Sequence, residues 1–180
     1  ISFLEPRWLF LIVERVRRMF DLAAAPREIS AHLGSDQLLA PLINAKPGLR
    51  VPGCWDAFEL AVRAILGQRV SVANTLAGRL VRAFGTATSA SAPLAYLFPT
   101  PIVLAEADLT CIGLPKKRAE TIRSLAQAIR HGEFCFSSVA DPDELRLRLR
   151  EIPGLGAWTA EYIAMRAIGD PDSFPAGDLG

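Results

Sequence analysis

The sequence predicts an all-α chain, and three observations predict it. Apolar residues recur at three- and four-residue spacing through most of the 180 positions, residues that open and close helices bracket those stretches, and no alternating strand pattern of useful length occurs. With 51% hydrophobic and 22% charged residues the chain has the composition of a folded globular protein, which excludes a disordered tail or a polyelectrolyte. A chain of this length buries roughly two thirds of its unfolded surface, enough for one domain, or one domain with a piece of another.

The first helix is expected over residues 6–21, where Trp8, Leu11, Ile12, Val16, Met19 and Phe20 share a face and Glu14, Arg15, Arg17 and Arg18 fill the other. Pro26 opens and Gly34 stops a second helix over 26–33. Ser35 is placed as the cap of a third over 35–43, ahead of Asp36 and Gln37. Residues 44–53, with two Pro and two Gly, read as a linker. A helix over 56–66 and one over 71–84, closed by Gly85, meet at a polar elbow. Residues 86–100, rich in Thr, Ser, Ala and Pro, form a loop, and a short helix follows over 101–107. From 116 to 130 the residues Ala119, Ile122, Leu125, Ala126 and Ile129 keep a helical period. Asp141 caps and Pro142 enters a helix running to 151, Ile152-Pro153-Gly154-Leu155-Gly156 makes a tight turn, and 157–168 is helical again until Gly169-Asp170-Pro171.

A formal net charge of +1 provides no global field for nucleic acid, but the charge is segregated. Residues 114–150 carry 8 basic and 5 acidic groups, and residues 151–180 carry 1 and 5. Cys54, Cys111 and Cys135 lie 57 and 24 residues apart, which favours neither a disulfide framework nor a close metal-ligand pair and points to a reducing compartment. The apolar run 8–13 is far short of the roughly 20 residues that span a bilayer. No secretory leader is visible, so a cytoplasmic, nucleoid-associated location is expected. The missing initiator Met makes the ends look like cuts.

Chemistry enters at the turn. Two glycines allow a sharp reversal and a close approach, and the amides of Gly154, Gly156 and Ala157 at a helix N-terminus form a phosphate site that needs no lysine. An ordinary helical connector is the alternative. The Gly154-x-Gly156 string is not read as a dinucleotide fingerprint, because no strand precedes it and position 159 is Thr. Lys116, Lys117 and Arg118 stand in the first turn of a helix, against its dipole, a placement that an outside anion makes favourable. A solvated charged turn is the alternative. Trp158 and Tyr162, four apart, put two rings on one helix face, either as pocket wall or as core.

The stretch IPGLGAWTAEYIAMRAIGDPDSFPAGDLG, residues 152–180, resembles the helix-hairpin-helix DNA glycosylase superfamily, and within it the AlkA-type 3-methyladenine DNA glycosylases (type II). The resemblance extends through GCWDAFELAVRAILGQRVSVANTLAGRLVRAFG and GLPKKRAETIRSLAQAI, and more weakly through PRWLFLIVERVRRMFDL. It implies the helix-hairpin-helix DNA glycosylase fold truncated at both ends. Residues 1–50 would be the helical remnant of an N-terminal domain with its linker, and 51–180 the glycosylase domain lacking its C-terminal helices. An enzyme cut there is expected to be weak or inactive.

The same resemblance implies that Asp178 is the catalytic carboxylate, stabilising positive charge on the deoxyribose or orienting water as the N-glycosidic bond breaks. Without the resemblance, Asp178 reads as a helix cap. Trp158 stands where strand-cutting members carry a nucleophilic lysine, and no lysine follows Lys117, so water is the expected acceptor and lyase activity is not expected. Trp158 and Tyr162 would wall a pocket for a cationic purine such as 3-methyladenine or 7-methylguanine, an attraction of roughly 0.5–2 kcal/mol. Such a base already leaves readily. Arg69 would fill the gap left by a flipped nucleotide, where the family has Leu or Gln, and Gln68 would contact the opposite base. The hairpin residues Gly154, Gly156, Ala157 and Thr159, with Lys116 and Lys117, would bind the DNA backbone. The carbonyls of Arg150, Ile152 and Leu155 would hold a monovalent cation, Na+ or K+, with no other cofactor. The implied partner is duplex DNA containing alkylated bases, acted on by a monomer away from any membrane. Two other functions remain open at this stage: a non-catalytic DNA-binding module of a larger repair or regulatory protein, and a helical interaction domain that binds no nucleic acid.

Overall fold

A computed structural model of the chain describes residues 5–67, 73–89, 95–139 and 141–176. The polar elbow with Gln68 and Arg69, and Asp178, lie outside the described residues. The chain divides into two compact units, Ile1–Trp55 and Asp56–Gly180.

In the first unit a 3-10 turn, Pro6–Trp8, leads into α1 (Leu9–Met19). Helix α2 (Pro26–Leu33) follows, with Pro26 in its first turn as expected. The third helix differs from expectation. Instead of starting after Ser35, α3 covers Ala40–Ala45. The Ser35 hydroxyl turns back to donate to the His32 carbonyl (2.7 Å), and Asp36 Oδ1 accepts from the amides of Leu38 (2.7 Å) and Leu39 (3.1 Å). A short acidic side chain bonding the amides two and three residues on holds a turn rather than a helix, and helical geometry resumes only at Ala40. Arg50 pairs with Asp21, and the Gly53 amide donates to the Met19 carbonyl (2.9 Å), which returns the linker to the end of α1. None of the unit's described residues is buried.

The second unit contains the hydrophobic core. Helix α4 (Ala57–Gly67) buries Phe58, Leu60, Ala61, Val62, Ala64, Ile65 and Leu66, an apolar surface nearly all round, as a helix enclosed by others requires. Asp56 caps it by accepting from the Glu59 amide (2.8 Å). Packed on α4 are α5 (Ala73–Phe84), α7 (Lys116–Arg130) and α9 (Ala157–Ile163). Helix α6 (Pro101–Glu106) packs on α7, and α8 (Pro142–Glu151) on α9. Leu80, Leu104, Ile122, Leu125, Leu145, Leu149 and Ile163 are fully enclosed where these helices meet.

Two features depart from the sequence reading. The loop after α5 contains a small antiparallel pairing of β1 (Thr86–Ala87) with β2 (Tyr96–Leu97). It passes so close to the end of α5 that a side chain on Gly85 would overlap the carbonyl oxygens of Val81 and Leu97. After Ile163 the helix also widens into a π-helical stretch, Ala164–Ile168, before Gly169 closes it at φ 75°. By contrast, the expected bounds of α7 and α8 coincide with the observed ones. Among the described residues no helix is long and apolar enough to cross a membrane.

Candidate nucleic-acid interface

Helix α8 starts where Asp141 accepts from the amides of Asp143 and Glu144 (both 3.3 Å) and ends at Glu151. The chain then turns, with the Leu155 amide donating to the Ile152 carbonyl (3.1 Å), and enters α9 with Gly156 at the N-cap. The two glycines of this hairpin do different work. Gly154 has φ 89°, a left-handed conformation, and a Cβ there would overlap Thr121 Oγ1 and stand 3.0 Å from Thr121 Cβ on α7. Gly156 is extended, with φ −87° and ψ 172°, and a Cβ there would meet nothing within 4 Å. The first glycine is needed inside the fold, and the second faces open space.

The contact between Gly154 and Thr121 also sets where the hairpin sits. Thr121 is buried, and its hydroxyl donates to the Lys117 carbonyl (3.0 Å), so the hairpin apex lies one helical turn from Lys117. Lys116 and Lys117 are exposed in the first turn of α7, and Lys116 is only 4.0 Å from Glu120 with 85% of its side chain in solvent. Arg79 of α5 reaches the loop just before this turn and donates to the Ile112 carbonyl (3.3 Å), beside Gly113 at φ 84°. Cations from two helices and a glycine hairpin therefore share one end of the bundle. The amides at the start of α9 have no acceptor inside the helix, because the first turn of any α-helix leaves them unpaired.

On α9 the rings of Trp158 and Tyr162 stack, with centroids 5.4 Å apart and planes 16° from parallel. Arg166 extends the ladder by one more turn. Its guanidinium lies 5.5 Å from the Tyr162 ring centroid and donates to the Tyr162 hydroxyl (2.8 Å). A resident cation thus occupies one side of Tyr162. The indole Nε1 of Trp158 is buried without a hydrogen-bond partner among the described residues, so the nitrogen edge of the ring points inward.

A second polar cluster stands behind the hairpin. Arg146 of α8, 17% exposed, pairs with Asp143 (2.8 Å), with Glu161 of α9 (3.0 Å) and with Asp170, and it donates to the Ser173 hydroxyl (2.7 Å). The contact to Glu161 is off the N–H direction, so it is coulombic rather than a hydrogen bond. The Ser173 hydroxyl in turn donates to Asp170 (2.6 Å). Burial pushes the Asp170 carboxyl up. Hydrogen bonds from Ser173 and the Asp172 amide, with the charge of Arg146, outweigh this and hold it below the usual carboxylate range.

A pH dependence follows from that shift. A carboxyl whose folded pKa is depressed contributes its full stabilisation above its unfolded value of about 3.9 and loses it as the pH falls through the folded value. The urea midpoint is therefore expected to fall below about pH 4, and to fall less steeply in Asp170→Asn. Identical pH profiles for the two proteins would refute the assignment.

Other expected site residues are placed less openly. Thr159 is on the inner face of α9, 2% exposed, so what it can present to a partner is its backbone amide. Ile152 and Leu155 are buried, while Arg150 is exposed in the last turn of α8. Thr121, Arg79 and Arg146 were not picked out from the sequence. The only signal for Thr121 was a small residue on the apolar side of α7 opposite a hairpin glycine. Arg146 was hidden in the repeat Leu145-Arg146-Leu147-Arg148-Leu149-Arg150, where every second residue is basic.

A helical bundle organised on a Gly-x-Gly hairpin is the architecture of the helix-hairpin-helix DNA glycosylases. The solved structure of the 3-methyladenine DNA glycosylase from Archaeoglobus fulgidus matches it with a TM-score of 0.82 and 28% identity, over 98% of this chain and 62% of that one. Residues 1–56 match the AlkA N-terminal domain family. The probable bifunctional transcriptional activator/DNA repair enzyme AlkA of Mycobacterium tuberculosis is 42% identical over 177 residues, 97% of this chain and 36% of that protein. DNA-3-methyladenine glycosylase 2 of Escherichia coli is 40% identical over 169 residues, 91% of this chain and 57% of that enzyme. The chain belongs to the AlkA-type branch of the helix-hairpin-helix DNA glycosylase superfamily. It spans between about a third and three fifths of the length of these relatives.

Proposed function

We propose that the chain carries the DNA-binding hairpin and the catalytic carboxylate of a monofunctional glycosylase that removes alkylated purines, 3-methyladenine and 7-methylguanine among them, from duplex DNA. The observation that carries this reading is the seating of Gly154 on Thr121. It brings an open glycine turn, the unpaired amides of α9 and the cations of α7 to one end of the bundle. Phosphates accept hydrogen bonds from helix N-terminal amides and charge from lysines, so this end suits a DNA backbone. The Trp158–Tyr162 stack supplies an electron-rich face suited to a cationic base, with Arg166 already on one side of Tyr162. No general acid is required, because an alkylated purine leaves as a neutral base. Asp178 stabilises the sugar cation that remains, and water completes the hydrolysis. With tryptophan at position 158, where strand-cutting members carry the nucleophilic lysine, no Schiff base forms there and the strand stays intact.

The carbonyls of Arg150, Ile152 and Leu155 fit a monovalent cation. They are uncharged oxygens, that of Arg150 at the end of α8, where the last carbonyls have no intrahelical donor, and those of Ile152 and Leu155 in the turn that follows, where the Ile152 oxygen keeps a second lone pair beside its bond from Leu155. Na+ or K+ held there supplies a positive charge for a DNA phosphate.

The test is release of free methylated purine from alkylated duplex DNA, with strand cleavage and borohydride trapping scored in parallel. Base release without cleavage or a trapped complex is expected. Strand cleavage or a trapped adduct would overturn the monofunctional reading. Binding with no release under any condition would leave a DNA-binding module.

Gly156 separates DNA contact from folding. Gly156→Ala is expected to change stability by no more than about 1 kcal/mol, since alanine is the poorer N-cap but also restricts the unfolded chain. It should weaken duplex binding about tenfold or more, through loss of a close backbone approach worth roughly 1.5–3 kcal/mol. Unchanged affinity by fluorescence anisotropy would remove this turn from the interface.

A further inference from the structure

Arg166 stands against the aromatic pair in a way that a regular α-helix does not produce. Trp158, Tyr162 and Arg166 follow one another at four-residue spacing. In an α-helix four residues overshoot a full turn by about 40°, so the third member of such a row drifts off the face held by the first. Here the backbone changes after Ile163 into the π-helical stretch Ala164–Ile168, which contains Arg166. A π-helix bonds five residues on rather than four and takes more residues for each turn, so its side chains lag behind the α-helical advance. Arg166 keeps in line with Tyr162: the central carbon of its guanidinium lies 5.5 Å from the ring centroid, and Nη1 donates to the hydroxyl (2.8 Å). The widened turn and the hydrogen bond together hold a permanent positive charge behind the two stacked rings, whose centroids are 5.4 Å apart. All three side chains are half-buried, so the field of that charge is screened less than it would be in bulk water.

Purines that leave DNA differ in charge, and a fixed cation treats them differently. A purine methylated at N3 or N7 arrives as a cation, attracted by the rings and repelled by Arg166. When its C1′–N9 bond breaks, the bonding pair cancels the charge on the base. An uncharged purine such as hypoxanthine meets no repulsion on entry. Its bonding pair stays on the base as negative charge, while water gives its hydroxide to C1′ and its proton to the departing base. A cation behind the stack stabilises that developing negative charge. We propose that Arg166 sets the choice between these classes: acting through Tyr162, it shifts base release from cationic purines toward uncharged ones. This rests on the reading of Trp158 and Tyr162 as a wall of the base pocket. Arg166 does not touch the base, so it is a positioning residue for the aromatic wall and the source of its charge.

The experiment uses two duplexes of one sequence, one carrying 7-methylguanine and the other hypoxanthine, and measures base release from each as a second-order rate constant below saturation. The full chain is set beside Arg166→Gln, Arg166→Lys and Trp158→Leu, each assayed well below its thermal midpoint. Glutamine keeps an amide donor for the Tyr162 hydroxyl and removes the charge, whereas lysine keeps the charge and loses the planar fork. The ratio of 7-methylguanine to hypoxanthine release is expected to be at least about threefold higher in Arg166→Gln and within about twofold of the parent in Arg166→Lys. An unchanged ratio in Arg166→Gln, or an equal rise in Arg166→Lys, would overturn the proposal, since a merely structural role lowers both rates together and leaves their ratio alone. A parent that releases 7-methylguanine but no hypoxanthine overturns it too. Trp158→Leu tests the reading beneath it. If this variant releases both bases at the parent rates, the rings do not line the pocket, and reading and proposal fail together. If it slows release while Arg166→Gln keeps the parent ratio, only the role of Arg166 is lost. A parent that releases neither base removes the glycosylase reading, and the proposal with it.

Discussion

Gly154→Ala is expected to destabilise the second unit by more than about 2 kcal/mol, from two separable sources. A residue with a Cβ pays roughly 1–2 kcal/mol to hold a left-handed conformation such as φ 89°. The new methyl would also overlap the Thr121 hydroxyl, and overpacking of this kind costs about 1–3 kcal/mol. Urea unfolding of Gly154→Ala, alone and combined with Thr121→Ala, distinguishes the two. The second change removes the overlapping oxygen and should recover part of the loss, while the backbone strain remains. Because the hairpin is seated through this contact, affinity for duplex DNA should fall together with stability, unlike the pure binding loss expected at Gly156. A Gly154→Ala protein with native stability would mean that the hairpin is not held against α7 as described.

Asp178→Asn is expected to lower base release by a factor of about 10² to 10⁴ while leaving DNA affinity close to the parent value. The lower end is typical of losing one electrostatic stabiliser of the transition state, and the upper end of losing a group that also moves a proton. Asparagine keeps the size and one acceptor oxygen but not the charge, so the measurement isolates the anion that faces the developing sugar cation. Two samples make it decisive: the 180-residue chain, and the same chain continued by the C-terminal part of the Escherichia coli enzyme. Release by either sample that Asp178→Asn abolishes supports the carboxylate. Release that survives the substitution would return Asp178 to the role of a helix cap and place the chemistry elsewhere.

Much of this fold could be read from local chemistry. Helices α2, α7 and α8 open at Pro26, after Pro115 and at Asp141-Pro142, signals that act within a few residues, and their observed bounds follow them. The glycines of the hairpin and the four-residue spacing of Trp158 and Tyr162 are likewise local, and the stacked rings follow from helical geometry. Where two local signals competed, reading was less secure. Ser35 reads as the cap of a helix over 35–43, but the Asp36 carboxylate bonds the amides of Leu38 and Leu39 and delays α3 to Ala40. The π-helical widening after Ile163 and the small β pairing after α5 have no local marker at all.

By itself, then, the sequence determined a mostly helical chain, the hairpin with its two glycines, the basic first turn of α7 and the aromatic pair, because each depends on residues within one or two helical turns. The tertiary structure decided which glycine is packed and which is open, since only the approach of Thr121 from α7, some thirty residues upstream, distinguishes Gly154 from Gly156. It also decided the fate of the alternating leucines and arginines of α8. The helical period turns Leu145 and Leu149 into the core and leaves Leu147 63% exposed, and it brings Arg146 to the carboxylates of Glu161 and Asp170. A largely enclosed cation is stable only where partners from other elements converge on it, and that convergence is a property of the assembled fold rather than of any segment of the chain.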